Sequence, residues 1–76
     1  TPDSLLSSSE LQECIDMALK ELPPLQRSVV SLRDIQGLDM ESICKILDVS
    51  ESNARVLLHR ARGQVRNALD KLERNR

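Results

Sequence analysis

The chain has 76 residues, a formal net charge of −1 and no Phe, Tyr or Trp, so it can hold one small domain around an aliphatic core. Such a core favours a helical bundle over a β-sandwich, and the missing rings exclude single-strand recognition by base stacking. Charge is unevenly spread: residues 1–48 carry nine acids against four bases (−5) and residues 49–76 three acids against seven bases (+4), a polarised chain with a basic C-terminal part.

Residues 1–8 carry little pattern and read as a flexible linker remnant, leaving 9–76 as the folded domain. In "SSELQECIDMALKEL", Ser9 is placed as an N-cap with Gln12 three residues on, a capping box. Leu11, Ile15, Ala18, Leu19 and Leu22 follow at helical spacing. Pro23 and Pro24 end that helix and start a second, whose apolar line includes Leu25, Val29, Leu32 and Ile35. Gly37 closes it in a left-handed conformation. In "LDMESICKILDVS", Asp39 caps a short third helix with Met40, Ile43, Ile46 and Leu47 on its buried side. Ser50 then caps a fourth helix, with Glu51 in its first turn favourable to the macrodipole. That helix runs to about residue 72, with Gly63 a point for weakness or a bend. The fold class is all-α: four helices ending in a helix-turn-helix over about 39–62, winged-helix-like but with no wing.

On a wheel of about 100° per residue, Ala54, Leu57, Leu58, Ala61, Val65, Ala68, Leu69 and Leu72 share one arc of the last helix. Arg55, His59, Arg62 and Arg66 line up away from it, with Ser52, Val56 and Gly63 beside them and Asn53, Arg60 and Asn67 further round. A solvated basic face is one reading. A short helix, a tight turn and a second helix with polar residues at its start form the other, a helix-turn-helix whose second helix enters the major groove. There Arg55 suits guanine, Asn53 adenine and Val56 a thymine methyl, while the remaining cations suit phosphates. Cys44 and Ala54 are placed where the two helices approach closely, and Val49 between them.

Cys14 and Cys44 lie far apart with no CxxC, which points to small buried hydrophobes and to no metal site. No cofactor is expected. No apolar run reaches membrane-spanning length and no signal-peptide pattern is visible. Opening on Thr, the chain reads as part of a longer one, and a cytoplasmic, bacterial location is expected. One His, no paired acids in a pocket and no phosphate loop argue against an enzyme.

The segment 22–69 resembles region 4 of bacterial sigma factors of the extracytoplasmic-function (ECF) group. The likeness is carried by Leu22-Pro23, Gln26-Arg27, Gly37-Leu38 and the run Leu58-His59-Arg60-Ala61-Arg62. It implies binding of the promoter minus-35 element as double-stranded DNA, in support of transcription initiation. On that pattern the contacts fall to Ser52, Asn53, Arg55, Val56, His59 and Arg60, with Arg62 and Arg66 on the same face. It also implies docking on the β-subunit flap of RNA polymerase and masking by an anti-sigma factor. The chain departs from the family where Asp48 replaces a frequent Gly, a position Asp tolerates in the left-handed region. It departs again at Val56 and Leu57, often polar or basic elsewhere, which bears on base preference. Two other readings stay open: the DNA-binding domain of a LuxR-type regulator, and a helical protein-interaction module.

Overall fold

Two prolines and two left-handed residues set where the chain turns. The computed structural model describes residues 8–74. Within them the chain forms α1 (Ser8–Glu21), α2 (Pro24–Val30) running on into a π-helical stretch (Ser31–Ile35), α3 (Met40–Leu47) and α4 (Glu51–Arg74). The all-α, four-helix expectation holds, and no strand occurs among the described residues. Residues 1–7, placed in the linker remnant by sequence, lie outside the described residues, and Ser8 already belongs to α1.

α1 begins one residue before the expected cap. α1 includes Ser9 within its first turn, and the Gln12 amide turns forward to donate to Asp16 Oδ1 at 3.0 Å, an i,i+4 pairing native to a helix surface. At the other end Arg27 Nη2 donates to the Leu22 carbonyl at 3.1 Å, satisfying an acceptor that the end of α1 leaves open.

α2 buries Val29 and Val30, but its apolar line is shorter than its sequence period suggested. Leu25 and Ile35 are 45% and 65% exposed. The reason for Ile35 is the π-helical widening: Gln36 N–H reaches back five residues to the Ser31 carbonyl at 3.0 Å, and Leu38 N–H reaches Leu32 at 2.9 Å. A widened turn rotates every later residue away from an α-helical register, so Ile35 swings outward. Leu25 sits one turn out from Val29, beyond the core. Gly37 then takes φ +79, where a side chain would be strained.

Asp39 caps α3 as expected, its Oδ1 accepting from Ser42 N–H at 2.8 Å. Ile43 is fully buried and Met40 and Leu47 half-buried, whereas Ile46 is 58% exposed. Met40, Leu47 and Ile43 fall within about 60° on a helical wheel, and Ile46 lies on the far side of Ile43. α3 ends at Asp48 in the left-handed region, φ 57 and ψ 51, where the Cys44 carbonyl accepts from Asp48 N–H and from Val49 N–H, a Schellman-type closure. Among the described residues Asp48 is the one non-glycine with positive φ. Two residues later Ser50 Oγ accepts from Asn53 N–H at 3.1 Å, starting α4 with a fixed direction.

The core gathers Leu22, Val29, Val30, Ile43, Leu58 and Ala61, with Leu19, Leu32, Leu38, Met40, Leu47 and Leu57 packed around it. Ile43, Ala54 and Ala61, not Cys44, are the fully buried residues of the helix-turn-helix; Cys44 and Val49 are half-buried. Ile43 belongs to the buried cluster with Val29, Val30 and Leu58. Both cysteines are free, and Cys14 Sγ donates to the Ala68 carbonyl at 3.7 Å. α4 runs unbroken through Gly63. At about 1.5 Å per residue its 24 residues account for most of the 40 Å long axis of the molecule.

Candidate nucleic-acid interface

The front of α4 is held by three kinds of constraint. The left-handed Asp48 aims the chain, the Ser50 hydroxyl caps it, and Ala54, Leu58 and Ala61 are buried on its inner side. Small residues at 54 and 61 let the helix lie close to its neighbours, so its rotation about its own axis is fixed. With the rotation fixed, the outer face is fixed as well.

All eight predicted site residues, Ser52, Asn53, Arg55, Val56, His59, Arg60, Arg62 and Arg66, lie on α4 and are exposed. The apolar arc also behaves as its spacing implied: Leu57, Val65, Ala68, Leu69 and Leu72 are half-buried beside the three buried positions. The phase of the outer face differs from a simple two-sided picture. The direction opposite the buried arc falls about halfway between Arg55 and the opposite flank, along Ser52, Val56 and Gly63. This outermost line is built of small or short side chains, and Val56 is 45% exposed on it. Arg55, Arg62 and Arg66 flank it on one side, Asn53 and Arg60 on the other, with His59 between the line and the first row. A face with a low centre and cationic flanks suits a partner with a recessed floor and anionic rims.

Two of the four arginines are already engaged by acids. Glu51 accepts from Arg55 Nη2 at 2.5 Å across one turn. That spacing was legible, but sequence reading gave Glu51 only a helix-dipole role. Arg62 lies at the seam between the exposed face and the buried arc, close enough to α2 to be held by Asp34: Nε donates to Oδ2 at 2.8 Å and Nη2 to Oδ1 at 2.5 Å. The bonds from Arg62, with its positive charge, hold the Asp34 carboxyl below its ordinary value, and the carboxylate raises the Arg62 guanidinium in turn. Asp34 is 28 positions away, and no local pattern marks it as a partner. Among the described residues Arg60 and Arg66 make no ion pair.

Between α1 and the second half of α4 lies a groove. Met17, Ala18, Leu22 and Leu72 give it an apolar floor, and Glu10, Glu13, Glu21 and Lys71 rim it. Met17 is 60% exposed there. Among the described residues no helix is long and apolar enough to cross a membrane, and no group of His, Cys, Asp and Glu is placed to hold a metal ion.

The chain matches the family described as Sigma-70, region 4 over residues 12–65. It is similar to the ECF RNA polymerase sigma-E factor of Haemophilus influenzae, 31% identical over 72 residues, which is 95% of this chain and 38% of that protein. The proteins of the same description in Salmonella typhimurium and Escherichia coli are each 32% identical over 73 residues, 96% of this chain and 38% of theirs. The chain thus spans less than half the length of the curated relatives it matches. The match favours the sigma reading over that of a LuxR-type regulator, and residues 12–65 hold α2, α3 and the basic front of α4. By its matched residues, this chain belongs to the sigma-70 region 4 family, which is not a family of enzymes.

Proposed function

We propose that this chain binds the promoter minus-35 element as region 4 of an ECF sigma factor, with the front of α4 in the major groove. The observation that carries the reading is the exposed basic face that begins immediately after a rigid, capped turn, within a stretch that matches sigma region 4. Ser52, Asn53, Arg55 and Val56 occupy the end of the helix that meets base edges in such a unit. Val56 on the outermost line favours an apolar contact with a thymine methyl, and Arg55 reads guanine once it exchanges Glu51 for a base edge. His59, Arg60, Arg62 and Arg66 reach backbone phosphates and supply affinity more than sequence information.

The partner on the protein side is RNA polymerase core, through the β-subunit flap, and an anti-sigma factor competes for this domain. Support for a protein-docking side comes from the exposed apolar residues Met17 on α1 and Leu25 on α2, and from the groove between α1 and α4. The activity belongs in the bacterial cytoplasm, where promoter DNA is found. Isolated from the rest of a sigma factor, the chain binds a duplex no more tightly than about micromolar, with a steep salt dependence.

Titration of a labelled chain with a minus-35 duplex at low ionic strength tests the reading. Amide shifts are expected to concentrate at residues 52–60. Spectra unchanged by the duplex, or changes confined to α1, would sink it.

A further inference from the structure

Arg62 differs from the other cations of the α4 face in being held before any partner arrives. A guanidinium has five N–H donors, and Asp34 takes one from Nε and one from Nη2. Both hydrogens of Nη1 and the second of Nη2 face away from the carboxylate, on a side chain 49% exposed. Asp34 is itself on a fixed support: the π-helical stretch is closed by Gln36 to Ser31 and Leu38 to Leu32, and Arg33 Nη1 donates to the Leu38 carbonyl at 2.8 Å.

We propose that Asp34 is a positioning residue for DNA binding, which holds Arg62 in one rotamer so that its outer edge grips a backbone phosphate. This assignment rests on the DNA-binding reading of α4. A phosphate takes parallel N–H bonds from a planar guanidinium well, and an unheld arginine loses most of its rotamer freedom when it makes them. Here that freedom is already lost on folding, which is preorganisation. Simple electrostatics argues for the opposite sign: an aspartate beside a DNA face repels phosphate, so its removal should tighten binding. The sign of the effect therefore discriminates.

The experiment measures anisotropy of a short random-sequence duplex across a salt series, because phosphate contacts carry no sequence information. Each variant is first checked by a circular-dichroism melt. Arg62→Ala is expected to weaken binding and to lower the log–log salt slope by about one. Asp34→Ala, although it removes a negative charge, is expected to weaken binding about three- to tenfold, the equivalent of leaving one rotamer-rich side chain to be ordered on association. The double variant should bind no more weakly than Arg62→Ala alone. Asp34→Asn keeps one acceptor oxygen and should fall between, and it replaces Asp34→Ala if that variant melts early. Binding by either Asp34 variant as tight as wild type or tighter, or losses that simply add in the double variant, would overturn the assignment while wild-type binding stood. A wild-type chain that leaves the duplex free would instead remove the reading of α4, and this assignment with it.

Discussion

Along α4, the half before Gly63 and the half after it bury their apolar sides to different depths. Ala54, Leu58 and Ala61, all in the first half, are buried, and Leu58 and Ala61 join the core with Val29, Val30 and Ile43. Val65, Ala68, Leu69 and Leu72, in the second half, are only half-buried, and beside them the structure leaves an open groove with Met17 exposed in it. The hydrophobic pattern is continuous through both halves, so patterning alone does not set the difference. What sets it is the number of elements alongside: α2 and α3 close around the first half, while the second half faces chiefly α1. The more deeply buried half of the helix is therefore the half that carries the proposed DNA contacts other than Arg66. The half with spare apolar surface is the one suited to docking proteins.

The comparison breaks most visibly if Leu58→Asp folds. That substitution leaves an unpaired charge at a position 7% exposed, at a cost large against the few kcal/mol of net stability of a small domain. No cooperative thermal transition is expected in circular dichroism; a melt near wild type would mean the first half is not the tight one. Milder truncations sharpen the same contrast. Leu58→Ala should cost about 2–4 kcal/mol in urea denaturation, and Leu72→Ala less than half of that, because a half-buried side chain loses fewer contacts and leaves a smaller cavity. Equal losses would erase the distinction.

Next in size is Arg55→Ala, expected to reduce discrimination at one base position by about 1–3 kcal/mol in competition binding. A uniform loss on every sequence would move Arg55 into the phosphate class. Acid comes after that. Asp34 and Asp39 both have carboxyls held below the ordinary carboxylate range, Asp34 first by its bond from Arg62 and Asp39 by bonds from Ser42. A depressed folded value means that the stabilisation is present above the unfolded value and is lost as pH falls through the folded one. Melting temperature should therefore decline below about pH 4, and Asp34→Asn with Asp39→Asn together should flatten that decline. An unchanged acid limb in the double variant would assign it to other carboxylates.

The smallest effect is expected at the boundary between the halves. A methyl group at Gly63 meets nothing within 4 Å, and Gly63 is helical. Gly63→Ala should then stabilise by about 0.5–1 kcal/mol through the lower entropy of the unfolded chain. A loss of stability would indicate a local departure from helix at the boundary.

Much of this was legible from residue order because it rests on local bonds. Asp39 and Ser50 cap within three residues, Gly37 and Asp48 turn the chain through their own φ, and the 3.6-residue period of α4 separates its buried and exposed arcs. The misplaced residues have different causes. Leu25 opens its apolar line before the core begins, Ile35 is turned outward by the π-helical widening, and Ile46 lies on the far side of Ile43 from Met40 and Leu47; an apolar period reports none of these. Cys44, expected to be a small buried residue, is half-buried, with Ile43 beside it fully buried; composition shows that a residue suits the interior without showing how deep it lies.

Residue order alone therefore determined the helices, their caps and turns and the cationic composition of the last one, all of which depend on groups within a few positions of each other. Only the tertiary structure decided that α2 widens into a π-helical end and that Asp34 there holds Arg62 across 28 positions. Those depend on how far apart two helices settle and how each is rotated about its axis, distances that no spacing along the chain encodes.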